Sequence, residues 1–271
     1  MKTLILGTAL AFTATASLAG GHLCYEGKTL TDGKLTVATG NPAYYPWVMD
    51  DNPASGMGFE AAVAYAVAEE MGFAAEDVVW VRTSFDEAIQ PGAKNFDVNM
   101  QQYSITPERD EMVDFSAPYY SAAMAVLGVG DAKRVPAEIG ALKDLKWGAV
   151  GSTTALPKLI QTIQPTSQVL LYGDNADVTA AMQAGQIDAA LFDLPTALFL
   201  SAVVIEGATI IGQFPADRTE RPDQFGMLME EGNPLKECID DALAALTESG
   251  ALADIEAQWL QDTTGVPLIA E

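Results

Sequence analysis

Between Phe96 and Tyr120 the sequence reads FDVNMQQYSITPERDEMVDFSAPYY, an order of side chains able to hold a small anion. Asp97-Val98-Asn99-Met100 has the composition of a short strand and Ser104-Ile105-Thr106 that of a turn carrying two hydroxyls. Pro107-Glu108-Arg109 then reads as a first helical turn, where the missing N–H of proline costs nothing. A helix entered in this way presents free backbone N–H groups and a partial positive charge, and Arg109 adds a planar fork of donors matched to a carboxylate. The plainer role for Arg109 is a surface helix residue paired with Asp110 or Glu111, and the segment alone leaves both open.

Other chemistry is poorly provided for. His22 is the only histidine, so Ser-His-Asp and Cys-His arrangements are absent, as are HExxH and paired CxxC spacings. Gly56-Met57-Gly58-Phe59-Glu60-Ala61 loosely fits a dinucleotide fingerprint but follows a proline-containing loop instead of a strand, and reads as a helix entry. An EF-hand at Asp50-Asp51-Asn52 fails because Ser55 stands at the glycine position and Ala61 at that of the terminal glutamate. No cofactor is expected, and nothing singles out an acid–base pair among the 37 acidic residues.

The elements that must position such a site alternate along the chain. Lys34–Thr39 reads as a strand, Phe59, Val63, Val67 and Met71 as one helix face, Val78–Val81 as the next strand, and Phe85–Gln90 as a short helix before the strand at Asp97. After an extended run from Tyr119 to Val129, a second series begins. Strands are expected at Trp147–Val150, Val169–Tyr172 and Ala189–Phe192, with helices at Leu156–Thr162 and Asp177–Gln183. A returning strand at Phe225–Met229 follows, then helices carrying Leu235, Ile239, Leu243 and Leu246, and Leu252, Ile255 and Trp259. This alternation predicts an open α/β architecture, with ligands at the carboxyl ends of strands.

With 49% hydrophobic and 19% charged residues, 271 residues can fill a sizeable core, so disorder is excluded as the general state. Lys2, the apolar run Leu4–Ala16 and Ser17-Leu18-Ala19 read as a secretory leader cleaved after Ala19. The run falls short of the ~20 apolar residues of a spanning helix. A lipid anchor on Cys24 is disfavoured by His22. Removing residues 1–19 leaves 13 basic against 37 acidic residues, which argues against nucleic acid or anionic membrane as a partner and reads mainly as a solubility feature. In an oxidising compartment Cys24 and Cys238, the only cysteines, are expected to pair; two free thiols are the alternative.

The segment at Phe96–Tyr120 resembles that of the polar amino-acid family of periplasmic solute-binding proteins, which serve ABC importers. The likeness runs from about Lys34 to the C-terminus and includes Gly58-Phe59-Glu60, Gly151-Ser152-Thr153-Thr154 and the stretch Gly185–Asp193. The resemblance implies a two-lobed periplasmic binding protein fold, type II-like, whose lobes are joined by two hinge crossings around a ligand cleft. Residues 20–122 and 224–271 would form lobe I and 123–223 lobe II, with crossings near 121–126 and 213–225. It further implies that Arg109 holds an α-carboxylate with Ser104 and the backbone at Thr154, that Thr153 belongs to the same ligand-binding site, that Asp193 holds the α-ammonium from the opposite lobe, and that Tyr44 and Phe85 wall the side chain. Plainer roles stand beside these: Asp193 as a helix cap, Thr153-Thr154 as an N-cap pair, Tyr44 and Phe85 as packing.

Two departures bear on the substrate. Asn41 stands where binders of basic amino acids in the family tend to have an aspartate, and Gln101-Gln102 replace small residues before the serine. With Asn41 and Gln102 counted in the site, the ligand is expected to be a neutral or polar L-amino acid or a close derivative. The expected protein is a periplasmic monomer that captures this amino acid by lobe closure and passes it to permease subunits. The rival readings are a lyase resembling cyclohexadienyl dehydratases, since fold does not fix function, and a sensory ligand-binding module.

Overall fold

The computed structural model describes residues 23–216, 222–260 and 265–270; the expected leader and His22 lie outside them. The first strand, β1 (Leu35–Thr39), is buried along its whole length, as a central strand covered on both faces must be. It leads into helix α1 (Phe59–Met71), β2 (Val78–Arg82), α2 (Phe85–Ala88), β3 (Val98–Asn99), α3 (Pro107–Asp110) and β4 (Asp114–Phe115). After β5 (Tyr120–Ala122) come β6 (Met124–Gly128), α4 (Ile139–Leu142), β7 (Trp147–Val150), α5 (Ala155–Lys158), β8 (Leu170–Tyr172), α6 (Asn175–Gln183), β9 (Ala189–Asp193), α7 (Leu194–Phe199) and β10 (Thr209–Phe214). The chain returns through β11 (Asp223–Phe225) to β12 (Leu228–Met229), α8 (Lys236–Ser249) and α9 (Ala251–Trp259).

Two five-stranded sheets result, ordered β2-β1-β3-β12-β4 and β10-β6-β9-β7-β8, and each centres one lobe. In the second, alternate residues of β6 and β9 enter opposite cores. Ala125, Leu127, Ala190 and Phe192 pack on one side, and Val126, Ala189 and Leu191 on the other. This is the period of two expected of a strand buried on both faces. Between the sheets β5 and β11 form a separate antiparallel ribbon, Tyr120 opposite Phe225 and Ala122 opposite Asp223. These are the two crossings.

Several expected elements are divided or added. The strand expected over Phe225–Met229 is two, because the chain leaves its ribbon partner β5 and joins β3 and β4 through Gly226. A Cβ at Gly226 would lie 2.9 Å from Ile105 Cδ1, which explains the glycine at this change of sheet. Strand β10 and the short strand Asp114–Phe115, which pairs with β12, have no counterpart among the expected elements. At the entry to α1, Gly58 has φ 105° and a Cβ there would sit 2.5 Å from the Trp47 carbonyl oxygen. Glycine alone tolerates both constraints.

Cys24 and Cys238 are joined in a disulfide that ties the first described turn to α8. Tyr25 stacks on Phe73 beside it, ring centroids 3.7 Å apart. Although the expected boundary gives everything after 224 to lobe I, residues 265–270 bond to lobe II. Ile269 N donates to Gln213 O at 3.0 Å and Ile139 N to Ala270 O at 2.9 Å. The bridge closes a sequence separation of 214 residues. Its removal in a Cys24→Ser, Cys238→Ser variant is expected to cost about 2–5 kcal/mol of unfolding free energy. Urea titration checks this; an unchanged midpoint would show that the bridge adds nothing.

Candidate functional site

One cavity of about 300 Å³ lies where the two lobes face each other, lined from both lobes and from the ribbon between them. All nine residues expected to touch ligand border it. Asn41 and Tyr44 come from the loop after β1, Phe85 from the start of α2, and Gln102, Ser104 and Arg109 from the stretch between β3 and the end of α3. Thr153 and Thr154 precede α5 in the other lobe, and Asp193 ends β9.

Arg109 is buried at 6% exposure, which excludes the surface pairing with Asp110 or Glu111. Helix α3 begins as the sequence indicated: Thr106 accepts from Arg109 N and Pro107 occupies the first turn. The side chain turns inward, where Nη1 donates to Ser104 O at 2.7 Å and Nη2 to Ser152 O at 2.9 Å, an acceptor in each lobe. Its guanidinium lies 5.4 Å from the centroid of Phe85, whose ring stacks on Tyr103 at 4.4 Å. Burial holds its pKa below the usual arginine value. A guanidinium has five N–H groups, so donors remain beyond these two bonds.

Asp193 serves as the cap that the plainer reading required, accepting from Thr196 N at 2.8 Å at the start of α7. It also borders the cavity, so one carboxylate does both. Burial pushes its pKa up to about 6, against the opposing effect of the Thr196 bonds. Thr196 reaches across to the other lobe as well, its Oγ1 accepting from Trp47 Nε1 at 2.8 Å. The threonines are not a capping pair: Thr153 Oγ1 donates to Val150 O at 2.8 Å, and Thr154 sits at the cap position of α5 without capping it. Thr154 Oγ1 instead approaches Ser104 Oγ at 3.4 Å across the cleft.

Tyr44 faces Asp174 and Asp177 of the second lobe, and burial together with these carboxylates and Asp51 raises its phenol to about 12. It stays neutral. Tyr45 meets Phe199 at 4.8 Å between ring centroids, a further contact between lobes. Asn41 borders the cavity, but among the described residues no hydrogen bond of its side chain distinguishes a role.

Sequence reading missed several residues here. Asp223 of β11 lines the cavity with Ser104 and Thr154 hydrogen-bonded to its carboxylate; burial raises its pKa, and Arg109 and Lys158 oppose that rise. Its distance of 114 residues or more from Ser104 and Arg109 hid it, and only the pairing of the two crossings brings it in. Trp47 is 1% exposed and packs edge-on against Phe59, Tyr120 and Phe225, joining the loop after β1 to both ribbon strands. Glu60, read as a helix entry, is buried beneath Gln102.

Comparison with known proteins places these features. The family described as bacterial extracellular solute-binding proteins, family 3, matches residues 35–262. The ABC transporter arginine-binding protein 1 of Escherichia coli K12 is 26% identical over 212 residues, covering 75% of this chain and 81% of that protein. The L-cystine-binding protein TcyJ of the same strain is 28% identical over 222 residues, covering 80% and 79%. Among solved structures, an ancestral arginine-binding protein bound to arginine superposes with a TM-score of 0.68 at 25% identity, covering 84% of this chain and 99% of that one.

Proposed function

The chain belongs to the bacterial extracellular solute-binding proteins, family 3, and on that premise we propose that it captures an L-amino acid between its lobes and hands it to an ABC permease. The observation that carries this reading is the placement of one buried guanidinium, Arg109, and one half-buried carboxylate, Asp193, on opposite lobes around a single cavity. An amino acid carries the complementary pair of charges. Arg109 and the backbone at Thr154 take the α-carboxylate, with Ser104 beside them, and Asp193 takes the α-ammonium. Tyr44 and Phe85 form the aromatic walls along the side chain.

Because the two charged groups belong to different lobes, only a closed cleft satisfies both ends of the ligand at once. Ligand binding therefore shifts the population towards closure by its difference in affinity for the two states. The ribbon β5–β11 is the natural hinge, being the only strand pairing outside the two sheets among the described residues. The relatives named above carry arginine or cystine in their names, and the first is named for an ABC transporter, which supports delivery to a permease. Export to the periplasm through the leader at 1–19 completes this reading.

Thermal unfolding against the common L-amino acids and a prephenate-like acid tests it. A ligand held only by the native state adds about 4 kcal/mol of stability at a thousandfold excess over its Kd. At least one amino acid is expected to raise the midpoint. No shift with any of them, together with consumption of the cyclic acid, would replace transport by lyase chemistry.

A further inference from the structure

Trp47 and Thr196 meet where the two lobes touch, and each is fixed by its own lobe. The Trp47 carbonyl accepts from Glu60 N at 3.0 Å at the entry to α1, and its ring packs edge-on against Phe59, Tyr120 and Phe225. Thr196 lies in the first turn of α7, where Leu194 N donates to Ala123 O at 2.9 Å. Both side chains are buried. A buried indole N–H needs an acceptor, and for Trp47 that acceptor is Thr196 Oγ1 at 2.8 Å, in the opposite lobe. Further along α7, Phe199 meets Tyr45 at 4.8 Å between ring centroids, so the loop that carries Trp47 lies along this helix.

Chemistry fixes the direction of the Trp47 contact. An indole nitrogen can only donate, so the Thr196 hydroxyl accepts here and keeps its own hydrogen for another acceptor. That acceptor is the Asp193 carboxylate, which Thr196 reaches through its hydroxyl as well as through its backbone N at 2.8 Å. The result runs in one sense, from indole to hydroxyl to carboxylate. It starts in one lobe and ends, in the other, on an acid that borders the cavity. Donors linked in this way strengthen one another, and they favour the charged form of the carboxylate at the end.

Capping does not account for the hydroxyl, because the backbone N of Thr196 already satisfies Asp193 as the cap of α7 and any residue but proline would supply that bond. What the indole and the hydroxyl add is a link between the meeting of the lobes and the acid at the cavity.

We propose that Trp47 and Thr196 are positioning residues for the ammonium site: closing the lobes completes a chain of donors that ends on Asp193, so lobe contact and presentation of that carboxylate are one event. The proposal rests on the amino-acid reading above. When the lobes part, the indole loses Thr196, and Asp193 is held by fewer aligned donors. Glu60 of α1, Asp223 of β11, and Tyr119 and Tyr120 at β5 also act on Asp193 electrostatically. Glu60 is itself raised to about 7, so the decisive signal is that of the Asp193 carboxyl and not of the whole protein.

Carbon-13 NMR of the Asp193 carboxyl as a function of pH tests the chain in the intact protein without ligand. Burial raises Asp193 to about 6 while the Thr196 bonds oppose the rise, so loss of the hydroxyl raises it further. Thr196→Val, which retains the backbone bond, is expected to move the midpoint up by about one pH unit, and Thr196→Ser to restore it. Calorimetric titration with the common L-amino acids at pH 6 and pH 8 tests the coupling. A carboxylate about half ionised at pH 6 in the parent would be about one-tenth ionised in Thr196→Val, so that variant is expected to lose about fivefold more affinity at pH 6 than at pH 8. Trp47→Phe, which keeps an aromatic ring in the cluster, is expected to show the same pH-dependent loss to a smaller degree. An unmoved Asp193 midpoint in Thr196→Val would overturn the chain, and equal losses at the two pH values in Trp47→Phe would reduce Trp47 to packing and overturn the link to lobe contact. Both outcomes leave the amino-acid reading standing. Binding of no amino acid by the parent would remove that reading and the ammonium role with it, whatever the carboxyl titration shows.

Discussion

Arg109→Ala is expected to weaken amino-acid binding at least a hundredfold, about 3 kcal/mol, because the ligand carboxylate would remain buried without its main counter-charge. The substitution has a structural side too, since Arg109 bonds to Ser104 O and Ser152 O and lies against Phe85. Arg109→Lys separates the two. Lysine keeps the charge but cannot make the paired, planar contacts of a guanidinium, so an intermediate loss of about tenfold or more is expected with the fold preserved. Titration calorimetry on both variants, beside their unfolding midpoints, is the check. Parental affinity in Arg109→Ala would remove the carboxylate contact from the proposal.

The second large effect is at Asp193. Asp193→Asn retains an oxygen that can accept from Thr196 N, so α7 keeps its cap, yet the charge that faces the ligand ammonium is gone. Affinity is expected to fall by about a hundredfold, while the empty protein is no less stable at pH 8. The sign follows from burial. Asp193 is raised to about 6 in the folded protein from its ordinary 3.8, so ionisation opposes folding above that range and a neutral amide avoids the cost. Binding runs the other way: the ammonium needs the ionised carboxylate, so affinity should decline as pH falls through about 6 in the parent. Asp223, Glu60, Tyr119 and Tyr120 interact electrostatically with Asp193, so the comparison is made against Asp193→Asn, in which the Asp193 contribution to the decline is absent. An identical pH profile in parent and variant would place the ammonium elsewhere.

The alternation of apolar strands with helical patterns was enough to indicate an α/β architecture, since the period of a buried strand or helix face is written locally in the residues. The helix start at Pro107 and the glycine at the entry to α1 were legible for the same reason: a missing N–H or a positive φ restricts residue type at that very position. Strand β10 and the break at Gly226 were not legible, because each depends on which strand the segment meets and not on its own composition. Asp193 caps α7, as one of its two readings required, and it also borders the cavity, a combination that no local pattern could have shown.

By itself, then, the sequence determined the kind of elements, the order in which they come, and the residue types able to hold a zwitterion. Tertiary structure alone decided what those side chains face. Arg109 pointed to an anion from its type and position, but only folding buried it between acceptors of two lobes. Gln101 offered donors and acceptors alike until Thr83 and Asn99 consumed its donors. Asp223 joined the site only when β11 paired with β5. The reason is physical: propensity and periodicity act over neighbouring residues, whereas the partners that orient a hydrogen bond or compensate a buried charge are brought together by packing across the whole chain.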